Sequence, residues 1–232
     1  MAVINLISSP RNISTALMYS FAQRKDCQVI DEPFYAFYLS QTEIVHPGND
    51  EILHSQSSDW NKVLHQIGEI EKTNEYVFVK NMAHHLIHPD LSCLNNWVNV
   101  YLIRDPKRII RSFSKVISNP TMQDIGIRYQ TELFNQYPGT VIDSMELLSD
   151  PETGLMKLCD KLDMPYNESM LSWEAGPIKE DGIWAKYWYT SVHSSTGFGP
   201  KPTDEVTIPE HLDGLYKKTL PYFNQMKSNQ II

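Results

Sequence analysis

Short apolar runs alternate with longer amphipathic stretches along this chain. Val3–Ile7 is an apolar run that ends at Ser8-Ser9-Pro10, and it predicts a buried strand leading into a loop. From Ser14 the positions Ala16, Leu17, Tyr19 and Phe21 predict a helix, with Ser14 or Asn12 as its cap. Further strands are expected at Gln28–Ile30, Tyr76–Lys80, Trp97–Ile103 and Gly139–Asp143. Between them, helices are expected over Trp60–Thr73, from Pro106 through Ser114 or beyond, and over Pro151–Leu162 behind Asp150 as cap. Strands that alternate with helices imply a parallel sheet covered on both faces.

The last 60 or so residues break this pattern. They are rich in Trp, Tyr, Gly, Pro, Ser and Thr, with no clear periodicity until Leu212–Met226 reads as a final helix. The segment of about residues 172–210 is expected to form an irregular lid or substrate loop. No repeat, low-complexity tract or linker divides the chain, so its 232 residues are expected to make one α/β domain.

Composition narrows the function. The net charge of −8 argues against a general nucleic-acid binder and requires that any cationic anion site be local. No run of about 18 apolar residues suits a membrane span, and the first residues lack the basic n-region of a signal peptide. Cys27, Cys93 and Cys159 are widely spaced and match no zinc or disulfide pattern. They are expected to be buried small hydrophobes in a reducing cytoplasm.

Two segments carry candidate chemistry. The first is strand, then Pro10-Arg11-Asn12-Ile13-Ser14-Thr15, then helix. A helix N-terminus offers unpaired N–H groups and partial positive charge, to which Arg11 adds a fork of donors. The loop is not a Walker A motif, because GxxxxGK[ST] is absent, and a plain β-turn-α connection has the same outline. The second is Val100–Pro106, where Arg104 closes a strand and Ser112 follows eight residues later. Ligands of parallel sheets bind at such carboxyl edges.

With these segments in place, the chain resembles the sulfotransferase superfamily, which uses 3′-phosphoadenosine 5′-phosphosulfate (PAPS). Residues 9–15 look like its 5′-phosphosulfate loop, often written PRSGTT. Arg104 and Ser112 match its 3′-phosphate pair, and residues 141–152 are similar to its "YEDL…dPe" strand and helix. The similarity runs over roughly residues 3–165. It implies a three-layer P-loop-like α/β fold, PAPS as donor, no metal, and a small-molecule or sugar hydroxyl as acceptor.

Two departures stand out. Ile13 occupies the place of a family glycine, and a β-branched residue resists φ > 0, so either a differently shaped loop or altered or lost nucleotide binding is expected. The C-terminal RKGxxGxW loop is absent, and residues 195–201, ending in Lys201, are its stand-in.

Sulfuryl transfer needs a base within reach of the acceptor hydroxyl. Glu32, after the second strand and before Phe34, Tyr35 and Phe37, is the first candidate, although a Glu there could simply cap a turn. His84 and His85, which follow the third strand, are alternatives. Lys80 is either a neutraliser of the transferring group or a surface lysine. His84 and His88 have the spacing of a helical metal pair, but no third ligand is evident. The aromatic stretch Trp184–His193 suits a ligand wall, a core, or a seam in a homodimer. A catalytically silent nucleotide binder and an ATP-dependent phosphotransferase remain as alternatives to a sulfotransferase.

Overall fold

The structure, a computed structural model, describes residues 2–115 and 117–232. Five strands form one parallel sheet: β1 (Ala2–Ser8), β2 (Cys27–Asp31), β3 (Tyr76–Met82), β4 (Val98–Ile103) and β5 (Thr140–Asp143), in the order β2-β3-β1-β4-β5. Each overlaps a strand expected from the apolar runs. Successive side chains in a strand face opposite sides of the sheet. Ile4, Leu6, Phe78, Val100 and Leu102 accordingly pack into one core layer, and Val3, Ile7, Val79, Tyr101 and Ile103 into the other.

The helices are α1 (Ser14–Ala22), α2 (Tyr35–Gln41), α3 (Asn49–Ser55), α4 (Trp60–Glu71), α5 (Pro106–Phe113), α6 (Met122–Ile125), α7 (Ile127–Gln136), α8 (Ser144–Ser149), α9 (Pro151–Lys161), α10 (Ala185–Trp188), α11 (Thr190–His193) and α12 (Asp213–Lys227). Helix α1 lies with the first core layer, while α4 and α7 lie with the second. Pro106 opens α5, and Asp150 caps α9 by accepting from Thr153 N–H, as the sequence implies.

Several expectations need correction. Neither Ser14 nor Asn12 caps α1. Ile13 holds the N-cap position, and no side chain bonds there. The stretch between Ile30 and Trp60, to which the apolar pattern assigns no element, contains α2 and α3. Helix α5 ends at Phe113, and any extension through position 116 lies outside the described residues. Of the three cysteines only Cys159 is buried, while Cys27 and Cys93 are half-buried. The C-terminal segment is better packed than a lid: Trp173, Trp184 and Tyr189 are buried in the core. Among the described residues no helix is long and apolar enough to cross a membrane.

Strand β1 lies between β3 and β4, so the chain leaves it in one direction to build β2 and β3 and in the other to build β4 and β5. The crevice above the carboxyl ends of β1 and β4 is the switch point where open α/β sheets bind ligands. Three buried asparagines tie these strands together beneath it. Asn81 donates to Asn5 over 2.8 Å, and Asn5 donates to Asn99 over 3.0 Å.

Candidate active site

The loop between β1 and α1 is held from below by a buried glutamine. Gln130 on α7 donates to the carbonyls of Ile7 and Leu102, both at 2.9 Å, and accepts from Ser9 Oγ at 3.0 Å. Asn12 is buried and donates to the Leu102 carbonyl. Arg104 Nη1 donates to the Arg11 carbonyl at 2.7 Å, and Arg11 Nε donates to Ser112 Oγ at 3.0 Å. The family resemblance implies Arg104 and Ser112 as a pair. In the structure Arg11 stands between them, taking Arg104 on its backbone carbonyl and giving its side chain to Ser112.

This loop bends through positive φ. Arg11 has φ 62° and Ile13 has φ 56° with ψ 14°. Ile13 therefore takes the left-handed conformation that glycine adopts freely, although its branched side chain is expected to resist positive φ. Its side chain packs against the first core layer, which helps to hold that conformation. No side chain caps α1, so its first-turn N–H groups have no capping side chain among the described residues. Pro10 and Thr15 are half-buried, and Ser14 is buried.

Beside the loop, at the ends of β2 and β3, lies a buried charged cluster. Lys80, expected either at the surface or facing a transferring group, is fully buried. Its Nζ donates to Asp31 Oδ1 at 2.9 Å, Glu32 Oε1 at 2.5 Å and Tyr189 Oη at 2.6 Å. An ammonium has three donors, so none is left for a ligand. Tyr189 Oη also lies 2.8 Å from Asp31 Oδ2 and accepts from Trp184 Nε1 at 3.1 Å. Burial opposes the charge on Lys80, but Asp31 and Glu32 more than offset it and hold its pKa above the ordinary value.

Glu32 has φ 41°, a third strained position at the same sheet edge. Burial pushes its carboxyl pKa up, against the pull of Lys80. Its Oε2 lies 3.7 Å from His85 Nδ1. His85 is buried and stacked on Tyr35, with ring centroids 4.5 Å apart. Burial pushes His85 well below the ordinary value and His84 down to about 4, so both rings are neutral near pH 7.

The sulfotransferase domain family matches residues 1–230. The chain belongs to that family. Two curated relatives from Arabidopsis thaliana, named branched-chain-amino-acid aminotransferase-like protein 1 and protein 2, are 39% and 37% identical to it. Each match covers 98% of this chain and 42% of the relative, so the chain spans less than half the length of these relatives. Among solved structures, the sulfotransferase domain of the Synechococcus PCC 7002 olefin synthase superposes with a TM-score of 0.61 at 14% identity, covering 97% of this chain and 94% of that one. A sulfotransferase from Alicyclobacillus acidocaldarius gives 0.57 at 10% identity, covering 98% and 95%. At these identities the two structures establish the shared fold.

The aromatic stretch of this sulfotransferase domain divides by residue. Trp184 and Tyr189 belong to the core, whereas Tyr187 and Trp188 line a cavity of about 300 Å³ together with Arg11, Pro47, Thr190 and Ser191. The cavity thus joins the β1–α1 loop to the C-terminal segment. Lys201 Nζ lies 3.5 Å from Glu146, so the structure gives it an acidic partner on α8. His84 and His88 do not share a helical face, because residues 83–85 form a single 3-10 turn and His88 stacks on Trp60. Among the described residues no group of three or more His, Cys, Asp or Glu side chains is arranged to hold a metal.

The sequence did not single out Gln130 or Asp31, and it marked Tyr189 only as one member of the aromatic stretch Trp184–His193. Gln130 carries no local signal, since its partners lie on two distant strands. Asp31 stood beside Glu32 in the sequence, but only the fold shows that Lys80 joins them.

Proposed function

We propose that this domain transfers a sulfuryl group from PAPS to a hydroxyl of a small molecule or carbohydrate. The convergence of Arg11, Arg104 and Ser112 on the uncapped N-terminus of α1 carries this reading. Arg104 Nε is buried and finds no partner among the described residues, which suits a bound anionic oxygen. The first-turn N–H groups of α1 and the loop of residues 10–15 would hold the 5′-phosphosulfate, and Arg104 with Ser112 the 3′-phosphate. PAPS supplies an activated sulfuryl group whose bond to the 5′-phosphate oxygen breaks as the acceptor oxygen bonds to sulfur.

Glu32 is the base in this reading. Its Oε1 is held by Lys80 while Oε2 forms no hydrogen bond among the described residues, so Oε2 takes the acceptor's proton. Lys80 and Tyr189 position Glu32, and the neutral His85 borders it. The cavity between Arg11 and Trp188 suits an acceptor that stacks on an aromatic ring and bonds to hydroxyls.

One observation favours a second reading. Glu32 is only 5% exposed and already ion-paired, as in a silent nucleotide binder. Transfer of radiolabelled sulfuryl from PAPS to a mixed panel of sugars, phenols and alcohols separates the two. Labelled product with the wild type and loss of it in Glu32→Gln support transfer. PAPS binding without product supports the silent binder. Label passing only from ATP would make the domain a phosphotransferase.

A further inference from the structure

The outer face of α5 carries more positive charge than one phosphate pair requires. Arg108 and Ser112 lie four residues apart on α5, Arg111 flanks Ser112, and Arg104 lies in the turn just before the helix. On a helix such spacing places side chains on one face. Arg104 follows Ile103, the last residue of β4, and Ser112 is already bonded to Arg11, so Arg108 falls between two members of the site in sequence and shares the helix face of Ser112. Burial, Arg108 and Arg11 together hold the Arg104 pKa below its ordinary value, while Asp143 and Asp105 only temper this. These guanidinium groups therefore sense one another.

The Pro202–Asp204 segment crosses this face. Arg108 Nη2 donates to the Asp204 carbonyl at 2.9 Å and the Pro202 carbonyl at 3.3 Å, and Nη1 to Asp204 Oδ1 at 3.1 Å. Arg111 Nη1 donates to Asp204 Oδ2 at 2.5 Å. A single carboxylate thus bridges two arginine forks, the arrangement in which arginines clamp a phosphate. Arg108 is 15% exposed, whereas Asp204 is 52% exposed and can leave at little cost.

We propose that Arg108 is a third guanidinium of the nucleotide site and that Asp204 is the counter-ion a 3′-phosphate replaces. This rests on the nucleotide reading above. A phosphate brings more negative charge and more acceptor oxygens than a carboxylate. It also meets repulsion from Asp204 if that side chain stays in place. Asp204 therefore lowers the affinity for a 3′-phosphorylated nucleotide and leaves that for an unphosphorylated ribose largely untouched.

Calorimetric titration of the wild type, Asp204→Asn and Arg108→Ala with 3′-phosphoadenosine 5′-phosphate (PAP) and with AMP tests this. In Asp204→Asn the ratio of PAP to AMP affinity is expected to rise roughly 3- to 10-fold, the size of a partly exposed charge interaction. In Arg108→Ala that ratio is expected to fall by about 10-fold or more. An unchanged or lower ratio in Asp204→Asn overturns the proposal even if the wild type binds PAP well. A wild type that does not bind PAP overturns the nucleotide reading and this proposal together. Asp204 is exposed, so its variant keeps the test open if Arg108→Ala fails to fold.

Discussion

Glu32 and Lys80 meet inside the protein, with Glu32 Oε1 2.5 Å from Lys80 Nζ, and Asp31 completes a buried trio of two carboxylates and one ammonium. Removing the ammonium leaves two carboxylates buried without their partner. Lys80→Met is expected to destabilise the fold by about 3–5 kcal/mol. Tyr189→Phe, which loses one bridging hydroxyl, is expected to cost about 1–3 kcal/mol. Urea denaturation of both variants checks the order. A Lys80→Met protein as stable as the wild type would show that the trio is not formed.

Ile13 sets two effects of similar size against each other. The left-handed conformation at φ 56° costs a branched residue about 1–2 kcal/mol. Replacement by glycine relieves this but removes a half-buried side chain from the first core layer, and that loss is about as large. Ile13→Gly is therefore expected to change unfolding free energy by less than about 1 kcal/mol and to leave PAP affinity undiminished. A large loss of affinity would mean that the isoleucine itself shapes the site.

Arg104 and Ser112 differ in what they hold. Arg104 binds the Arg11 carbonyl while its buried Nε–H has no partner among the described residues, whereas Ser112 is bonded to Arg11. Arg104→Ala is expected to weaken PAP binding by about 1.5–3 kcal/mol, the worth of one charge-assisted hydrogen bond. Ser112→Ala is expected to cost less. Equal affinities for both variants and the wild type would remove the pair from the nucleotide site.

Histidine burial gives the stability a direction with pH. The folded pKa of His84 is lowered to about 4 and that of His85 lies well below its ordinary 6.5. Between those values the unfolded chain binds more protons than the folded one, so stability falls as pH drops from about 6.5 to about 4. Thermal melts across that range are expected to show the loss, and a shallower slope in His84→Gln. Glu32 acts on activity instead. Its pKa is raised above the usual 4.5 by burial, so transfer is expected to rise with pH through that higher value.

Much of the fold was legible because a buried parallel strand leaves a plain record. The runs at Val3–Ile7, Tyr76–Lys80 and Trp97–Ile103 are apolar on both faces, and the structure contains a strand at each. Pro106 and Asp150 marked helix starts through local chemistry. Helices α2 and α3 were not legible, since Tyr35–Gln41 is nearly all apolar or aromatic and shows no helical stripe. Within the site, Arg11, Glu32 and Arg104 could be picked out from their place at strand ends. Their surroundings could not, because the partners come from about 90 or more residues away in sequence: Gln130 bonds the neighbouring Ser9, Tyr189 bonds Glu32, and Asp204 pairs with Arg108.

The central claim is that the crevice over β1 and β4 holds a nucleotide by its 3′-phosphate. Calorimetric titration of the wild-type domain with PAP, beside AMP and ATP and without added Mg²⁺, tests it most directly. PAP is expected to bind at least ~10-fold more tightly than AMP, as an added phosphate paired with the half-buried Arg104 requires. Equal affinities for PAP and AMP, or a preference for ATP, would contradict the claim.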